Sequence, residues 1–205
     1  MSVKRILDLA VSVPALLVVS PLLGLVALCI RFEDGSPIFY RQQRVGKNGQ
    51  LFELLKFRSM QVHDIPAGET GQITEFHPLV TSTGRWIRRF KVDELPQLVN
   101  VLRGDASLVG PRPTLPGQVA EYDANQRRRL EVPPGLTGWS QINGNVRLSW
   151  EDRIRLDLWY IDHWSLWLDL RILFRTAKVI ALGEQVDPKA LQEARDHEKR
   201  TYRSC

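Results

Sequence analysis

The feature that most constrains this chain of 205 residues is an uncharged, largely apolar run near its N-terminus. The run extends over 22 residues, from Leu9 to Ile30. A helix of that length is ~33 Å long, enough to cross the ~30 Å hydrocarbon core of a bilayer. It is long for a buried core helix, and no small-residue cleavage site of a signal peptide precedes Arg31. The run therefore predicts that residues 1–33 anchor the chain in a membrane.

A Ser-Pro pair, Ser20-Pro21, lies in the middle of this run. Because proline lacks a backbone N–H and clashes with the preceding turn, the pair predicts a kink. A sharply kinked helix can enter one leaflet and return to the same side, although spanning helices also tolerate proline. Basic residues flank the run at both ends, with Lys4 and Arg5 before it and Arg31 after it. Charge therefore gives no crossing direction, and both re-entrant and spanning arrangements remain open.

Composition excludes several other classes of protein. Apolar residues make up 43% and charged residues 25%, which is typical of a globular chain. The formal net charge of +5 is too small to indicate nucleic-acid binding by itself. Two cysteines, Cys29 and Cys205, cannot form a disulfide framework or a cysteine zinc site, which favours a reducing, cytosol-facing compartment. The four histidines do not cluster, so a histidine metal site is not expected.

Beyond the anchor, the pattern predicts a mainly helical α+β domain over residues 34–183. Asn48-Gly49 between two apolar runs predicts a small β-hairpin. A polar loop is predicted over residues 61–78. Helices are predicted over residues 83–102, capped by Ser82 or Thr83 and interrupted near Pro96, and over residues 118–130. The charged residues 184–205 are predicted to form a peripheral tail.

Four of the six tryptophans lie between Trp150 and Trp167, interleaved with basic residues. Tryptophan among cations on a helix is typical of a segment lying in the membrane interface. A tryptophan-rich core or a subunit contact is the alternative interpretation.

An acidic pair, Asp93-Glu94, follows four cations between residues 85 and 91. Adjacency alone carries no information, because the chain contains three adjacent acidic pairs, close to the number expected from its composition. Among so many cations, however, Asp93 should stay ionised, and it could act as a nucleophile or hold a divalent cation. The alternative is a solvated network of ion pairs.

A Pro-Arg-Pro segment follows within residues 110–113. Its two prolines restrict the backbone on both sides of Arg112, so that the guanidinium is oriented for phosphate at little entropic cost. Together with Lys56 and Arg88, Arg112 suggests a cationic pocket for a polyphosphate, which a divalent metal would let the carboxylates share. The alternative is a structural loop with a surface arginine.

These motifs, in this order, closely resemble the bacterial sugar transferase family, the small monotopic phosphoglycosyl transferases. The resemblance covers most of residues 1–180. The matching runs are GSPIFYRQQRVGKNGQLF, KFRSM, GRWIRRFKVDELPQLVNVLRGDASLVGPRP, PPGLTGWSQING and WYIDHWSLWLDLRIL.

The resemblance implies transfer of a phosphosugar from a UDP-sugar to a polyprenyl (undecaprenyl) phosphate, with release of UMP. It implies a monotopic protein on the cytoplasmic face of the bacterial inner membrane, with membrane lipid as a partner. The implied fold has a re-entrant helix broken at Ser20-Pro21, interfacial amphipathic helices and a small β-hairpin. The oligomeric state is left open, and a homodimer is one of the assemblies compatible with it.

The resemblance also assigns site residues. Asp93 becomes the nucleophile of a ping-pong reaction and a ligand of Mg²⁺, with Glu94 as its partner in the catalytic dyad. The cationic positions fall on Lys56, Arg88 and Arg112. Direct attack by the lipid phosphate in a ternary complex and a non-catalytic membrane-bound scaffold are the alternatives.

Three positions depart from the family pattern. Lys91 stands where serine or threonine is usual, and Ala106 stands where methionine is usual. Asn145 stands where the family commonly has an arginine that contacts the nucleotide. Arg147, two residues further on, is the candidate to take over that contact.

Overall fold

The computed structural model describes residues 2–61 and 77–202 of the chain. Within those ranges helices dominate and the strands are short, which confirms the predicted mainly helical α+β class. The helices are α1 (Val3–Asp34), α2 (Ser82–Arg89), α3 (Gln97–Arg103), α4 (Pro116–Ala120), α5 (Trp139–Ile142), α6 (Trp150–Asp162), α7 (Leu166–Leu182) and α8 (Pro188–Tyr202). The strands are β1 (Phe39–Val45), β2 (Leu51–Phe57), β3 (Ser107–Val109) and β4 (Gly135–Thr137). Most of the loop predicted over residues 61–78 falls on residues 62–76, outside the described residues.

The predicted hairpin is confirmed, with β1 and β2 paired antiparallel from Phe39 opposite Phe57 to Val45 opposite Leu51. Asn48 adopts a left-handed φ of 56°, the conformation for which asparagine is suited in tight turns. Strands β3 and β4 form a second, parallel pair. A backbone bridge between Val45 and Thr114 joins the hairpin to the segment after β3. The hairpin is thereby fixed beside the Pro-Arg-Pro segment.

The helix predicted over residues 83–102 is present as α2 and α3, and the predicted interruption near Pro96 is confirmed. Its predicted N-cap is wrong, because the cap is Thr81, whose hydroxyl accepts a hydrogen bond from Gly84 N at 2.9 Å. The other predicted helix is wrong in extent. The helix predicted over residues 118–130 is the short α4 followed by a separate 3₁₀ helix. There the Asp123 carboxylate accepts from Gln126 N at 2.7 Å, which starts a new turn instead of extending the old one.

Helix α1 is the only helix in the described residues that is long and apolar enough to cross a membrane by length and composition. It runs through Pro21, and the Ser20 hydroxyl donates to the Leu17 carbonyl at 2.9 Å. That carbonyl is the one for which Pro21 has no N–H to offer, so the Ser20 hydroxyl takes the place of the missing backbone donor. The re-entrant kink at Ser20-Pro21 stays a prediction.

The beginning of α1 is fastened to the rest of the fold by polar contacts. Lys4 forms an ion pair with the buried Asp169 of α7 at 2.6 Å. Arg5 donates to the carbonyls of the last residues of α3, Val101 and Leu102. Asp8 is buried and accepts hydrogen bonds from the segment 107–108 in β3.

The end of α1 is fastened to the same body. Val26 and Ile30 are buried in a cluster that includes Phe57 and Ile87, from β2 and α2. Beyond them, the Glu33 carboxylate accepts from the first two backbone N–H groups of α2, at 2.7 and 2.9 Å. Between these two attachments the outer face of the helix is apolar and exposed, as at Val18, Leu25 and Phe32.

The main core lies between α3, β3, α6, α7 and α8. Helix α8 contributes the buried side chains of Ala190 and Ala194 and packs against α6. The predicted charged tail over residues 184–205 thus contains a helix that packs on the core through two small side chains. Small alanines allow close helix packing but give little of the apolar periodicity that predicts a packed helix.

Some tryptophans lie in the core of the fold, and others lie on the exposed face of a helix, as in a segment at the membrane interface. Trp139 and Trp159 stack inside the fold with ring centroids 5.0 Å apart. On α7, by contrast, Trp167 and Phe174 are 76% and 84% exposed, with the exposed Leu170 between them. These three side chains at i, i+3 and i+7 form one apolar stripe on the outside of α7, as an interfacial helix requires.

Candidate active site

The acidic pair lies on a single 3₁₀ turn, Val92–Glu94, which we name the acidic turn. Lys91 lies directly before the turn and has a left-handed φ of 56°. It separates the turn from α2, which ends at Arg89. Val92 is buried, which anchors the turn to the core. Pro96 has no N–H to continue a helix, so α3 starts afresh after it, as predicted. The turn thus presents two adjacent carboxylates between two helices.

Glu94 is bound on both sides by cations. Lys56, on β2, contacts Glu94 Oε1 through its Nζ at 2.6 Å. Arg112, from the Pro-Arg-Pro segment, contacts the same oxygen at 2.9 Å. Although burial alone would raise the pKa of Glu94, these two cations lower it well below its usual range. Glu94 is therefore ionised and engaged.

Asp93 has the opposite environment. Its Oδ1 is buried and accepts no hydrogen bond from the described residues. Burial, followed by the neighbouring negative charge of Glu94, raises the pKa of Asp93 above its usual value. Lys56, Arg88 and Lys91 oppose that shift. Asp93 is thus surrounded by cations, but its Oδ1 accepts none of the hydrogen bonds that would stabilise the charged carboxylate.

Arg88 reaches the acidic turn from the last turn of α2. Its Nε donates to Ser59 Oγ at 2.8 Å, which fixes the guanidinium beside the end of β2. Burial lowers the pKa of Arg88, and the charge of Asp93 acts in the opposite direction. The structure therefore brings together Lys56, Arg88, Asp93, Glu94 and Arg112, as the sequence predicted.

The Pro-Arg-Pro segment is held rigidly by backbone pairing. Gly110 N donates to Thr137 O at 2.9 Å, and Gly135 N donates to Pro111 O at 2.8 Å. A side chain at Gly110 would come within 2.4 Å of the Pro133 carbonyl, so the close approach requires glycine. The position of Arg112 is consequently determined by strand β4 as well as by its flanking prolines.

One residue at this site was missed by sequence reasoning. Glu184, just after α7, contacts Lys91 Nζ at 3.1 Å and accepts from Asn145 Nδ2 at 2.8 Å through the same oxygen. Lys91 and Asn145 are both departures from the family pattern, and they share this one partner. No motif covers Glu184, because it lies beyond the last matching run.

The remaining predicted residues lie elsewhere. Arg147 follows Asn145 on a 3₁₀ turn, but its side chain is exposed and makes no hydrogen bond or ion pair within the described parts of the chain. Its role in nucleotide contact stays a prediction. Ser20 and Pro21 belong to α1 and are not among the residues that contact the acidic turn.

The donor set permits a metal ion only in a restricted way. Among the described residues there is no group of three or more His, Cys, Asp or Glu side chains that could hold one. The Asp93 carboxylate can nevertheless serve as a single ligand, while Glu94 is paired with Lys56 and Arg112. Mg²⁺ is often bound by one or two carboxylates together with substrate phosphates. The residues present therefore fit Mg²⁺ that arrives with a phosphate ligand.

Comparison with known proteins identifies relatives that match most of the chain. Residues 1–183 match the family described as bacterial sugar transferase. The uncharacterized sugar transferase EpsL of Bacillus subtilis is 43% identical over 186 residues, which cover 91% of each chain.

Two further relatives carry names that state an activity. The undecaprenyl-phosphate glucose phosphotransferase of Komagataeibacter xylinus is 46% identical over 85% of this chain. The undecaprenyl-phosphate galactose phosphotransferase of Salmonella typhimurium is 38% identical over 86% of it. The matches span only 35% and 40% of those two longer proteins.

Proposed function

The chain belongs to the bacterial sugar transferase family, and we propose that it transfers a phosphosugar from a UDP-sugar to a polyprenyl phosphate. The products are UMP and a polyprenyl-diphosphate sugar. The names of the relatives support this reaction class, since they are transferases that use undecaprenyl phosphate. The acceptor of this chain is, in our proposal, the same lipid.

The observation that carries the proposal is the unequal environment of the two carboxylates on the acidic turn. Asp93 keeps a buried oxygen without a hydrogen bond, whereas Glu94 is held by Lys56 and Arg112. A nucleophile needs an available lone pair, and a carboxylate whose pKa is raised is also more basic and more nucleophilic. Asp93 is therefore the group on this turn that can attack phosphorus.

In the first step, Asp93 Oδ1 attacks the β-phosphorus of the UDP-sugar. The bond between that phosphorus and the bridging oxygen breaks, its electron pair stays with the oxygen, and UMP leaves. The product is an acyl phosphate that joins the Asp93 carboxyl to the sugar phosphate. In the second step, an oxygen of the polyprenyl phosphate attacks the same phosphorus and releases the Asp93 carboxylate.

The surrounding cations stabilise the charge that develops on phosphate oxygens during both steps. Arg112 is oriented by its ion pair with Glu94, and Arg88 is oriented by its hydrogen bond to Ser59. Glu94 acts in this proposal as the residue that positions Lys56 and Arg112. Both cations contact its Oε1, so that oxygen is engaged in positioning them.

We further propose that Mg²⁺ takes part, with Asp93 and the donor diphosphate as its ligands. When bound, the ion supplies positive charge that neutralises the diphosphate and the leaving UMP. Removal of Mg²⁺ by a chelator is expected to abolish turnover, and added Mg²⁺ to restore it.

The same proposal places the protein on the cytoplasmic face of the bacterial inner membrane as a monotopic protein. Both ends of α1 contact one body, through Lys4 and Asp169 at the start and Glu33 and α2 at the end. Attachment of both ends of α1 to one body supports an arrangement in which both ends lie on the same side of the bilayer. The exposed stripe of α7 would lie in the same interface.

Reagent labelling tests this topology. Cysteines introduced before Lys4 and after Asp34 should be labelled from the same side of the membrane. Labelling from opposite sides would overturn the monotopic arrangement.

The experiment that tests the reaction uses the full chain in detergent with a panel of UDP-sugars and Mg²⁺, without lipid acceptor. We expect a stoichiometric burst of UMP and a phosphosugar adduct in the intact-protein mass, both absent in Asp93→Asn. Turnover that begins only when polyprenyl phosphate is added, without a burst, would indicate direct displacement in a ternary complex. Failure with every donor, even with the acceptor present, would leave the role of a membrane-bound scaffold.

A further inference from the structure

A cavity of about 110 Å³ lies between the hairpin, the Pro-Arg-Pro segment and α6, and Arg112 is one of its lining residues. We name it the arginine cavity. Four arginines line it: Arg44 of β1, Arg112, Arg129, and Arg153 of α6. Its volume corresponds to several water molecules, which is room for a phosphate group.

The charges in the arginine cavity do not cancel. Arg129 is paired with the buried Asp157 at 2.6 Å, and Arg112 is paired with Glu94. Arg44 and Arg153 form no ion pair with any described carboxylate, so two positive charges remain unmatched. An anion is the natural partner for such a surplus in a partly buried site.

The two unmatched guanidiniums are held in place without being saturated. Arg44 donates to Gln42 Oε1 through Nε and through one terminal nitrogen, and to the Pro113 carbonyl through the other at 3.1 Å. These three bonds leave two of the five N–H groups of an arginine. Arg153 lies over the ring of Trp150, 5.5 Å from its centroid, and its buried Nε has no acceptor in the described residues.

The cations around the cavity repel one another, because like charges lie close together in a partly buried site. Burial lowers the pKa of both Arg44 and Arg153, and in each case the charge of Arg112 is the next cause. A bound phosphate would remove this repulsion and supply the missing acceptors. Burying these like charges together therefore costs free energy of folding, and a bound phosphate would reduce that cost.

The position of Arg112 indicates which phosphate group the arginine cavity would bind. Arg112 contacts Glu94 on the acidic turn and also lines the arginine cavity, so the two sites adjoin. Two adjoining phosphate sites suit the two phosphates of a diphosphate. The cavity is lined mainly by polar side chains, including Gln118 and Ser140, which suits a nucleotide better than an isoprenoid chain.

We infer that the arginine cavity receives the nucleotide-side phosphate of the donor and retains the nucleoside monophosphate as it leaves. This inference rests on the proposed function, because it assumes that the phosphorus attacked by Asp93 belongs to the same diphosphate. Arg44 and Arg153 bind that phosphate and stabilise the charge that arrives on the bridging oxygen when its bond breaks. Neither residue contacts the acidic turn.

Equilibrium dialysis of labelled UMP against the detergent-purified full chain tests the inference without requiring turnover. Arg44→Gln and Arg153→Gln should each raise the Kd for UMP about tenfold or more, as expected for a lost charged hydrogen bond. Arg127→Gln removes the same charge at an exposed position outside the cavity and should leave the Kd unchanged. Arg44→Lys and Arg153→Lys, which keep the charge, should fall between parent and glutamine variants.

Several results would overturn the inference. The first is a Kd for UMP that is unchanged in both glutamine variants while their thermal unfolding midpoints match the parent. The second is that the glutamine variants bind a short-chain polyprenyl phosphate more weakly while their Kd for UMP is unchanged. That result would assign the cavity to the acceptor. If a glutamine variant does not fold, the lysine variant at that position and the other arginine carry the test by the same criteria.

The inference and the proposed function fail separately. UMP binding that depends on Arg44 and Arg153, without a phosphosugar adduct from any donor, would support the cavity assignment and contradict the proposed reaction. An adduct that forms normally in both glutamine variants, with unchanged Kd for UMP, would support the reaction and overturn the cavity assignment.

Discussion

Asp93 and Glu94 are neighbours on one 3₁₀ turn, yet the protein surrounds them in opposite ways. On the Glu94 side, Lys56 and Arg112 contact a single carboxylate oxygen and lower its pKa. On the Asp93 side, burial raises the pKa and Oδ1 has no hydrogen bond from the described residues. One carboxylate stabilises the structure, and the other is kept available at a cost in stability.

This difference shows how one site serves two needs. The cations that a phosphate-transfer site requires must be oriented before substrate arrives, and Glu94 does this for two of them. In the proposed reaction, the attacking carboxylate must keep an oxygen that no other group of the protein engages, and Asp93 Oδ1 meets this condition. Placing the two acids side by side lets the same cations serve both.

Asp93→Asn should have the largest effect of the substitutions that break this comparison. We expect transfer to fall by about 10³-fold or more, because the proposed nucleophile is lost. At neutral pH the variant should also be more stable than the parent by about 1 kcal/mol, as removal of a strained functional group often is. Single-turnover rates and thermal unfolding midpoints check both, and a large loss of stability would contradict the proposed environment of Asp93.

Glu94→Gln should destabilise the protein, in contrast to the change at its neighbour. Lys56 and Arg112 would lose a charged partner in a largely buried setting, which we expect to cost about 2 kcal/mol. For a chain of this size the thermal unfolding midpoint should fall by roughly 4–8 °C. Glu121→Gln, at an exposed position, is the matched control and should shift the midpoint by less than about 1 °C. Equal midpoints for the two variants would show that Glu94 does not hold the site together.

Acidification should separate the two carboxylates. The raised pKa of Asp93 means that its reactive form is lost first as pH falls, so the rate of the UMP burst should drop about tenfold per unit below that pKa. Glu94, whose pKa is lowered, contributes stability that is fully present above its unfolded value and is lost only as pH falls through its folded value. As pH falls, the rate of the UMP burst should therefore decline first, and the thermal unfolding midpoint should decline only at a lower pH. Coincident declines would contradict this order.

Glu184→Gln should produce the smallest effect. Its contact with Lys91 involves a lysine that is 46% exposed, and such pairs contribute about 0.5–1 kcal/mol or less. Because Glu184 also holds Asn145 beside the arginine cavity, we expect a KM for the donor a few times higher and little change in kcat. A loss in kcat without a change in KM would instead place Glu184 in the chemical step.

Sequence patterns predicted those parts of the molecule that depend on local chemistry. The apolar run from Leu9 to Ile30, the Asn48-Gly49 turn and the break at Pro96 are each determined by residues close together in the chain. Adjacency gave no reason to prefer Asp93-Glu94 over the other acidic pairs. What distinguishes it is contact with Lys56 and Arg112, which only the tertiary fold brings together.

Two features that the sequence did not predict, the packing of α8 and the role of Glu184, also depend on contacts made only in the tertiary fold. Helix α8 packs through Ala190 and Ala194, whose side chains are too small to produce a clear apolar period. Glu184 lies outside every motif, and its partners are 93 and 39 residues away along the chain. Both become predictable only when the position of α7 is known.

The attachment of Lys4 to Asp169 also has a consequence for biosynthesis. These two residues are separated by 165 positions, and ribosomes add about 5–20 residues per second. The start of α1 therefore waits roughly 8–33 s for its final partner. The partners of Arg5 and Asp8 are synthesised earlier, so Lys4 is the last of these anchors to find its partner. A lipid surface can shelter the apolar face of the helix until the ion pair with Asp169 completes the attachment.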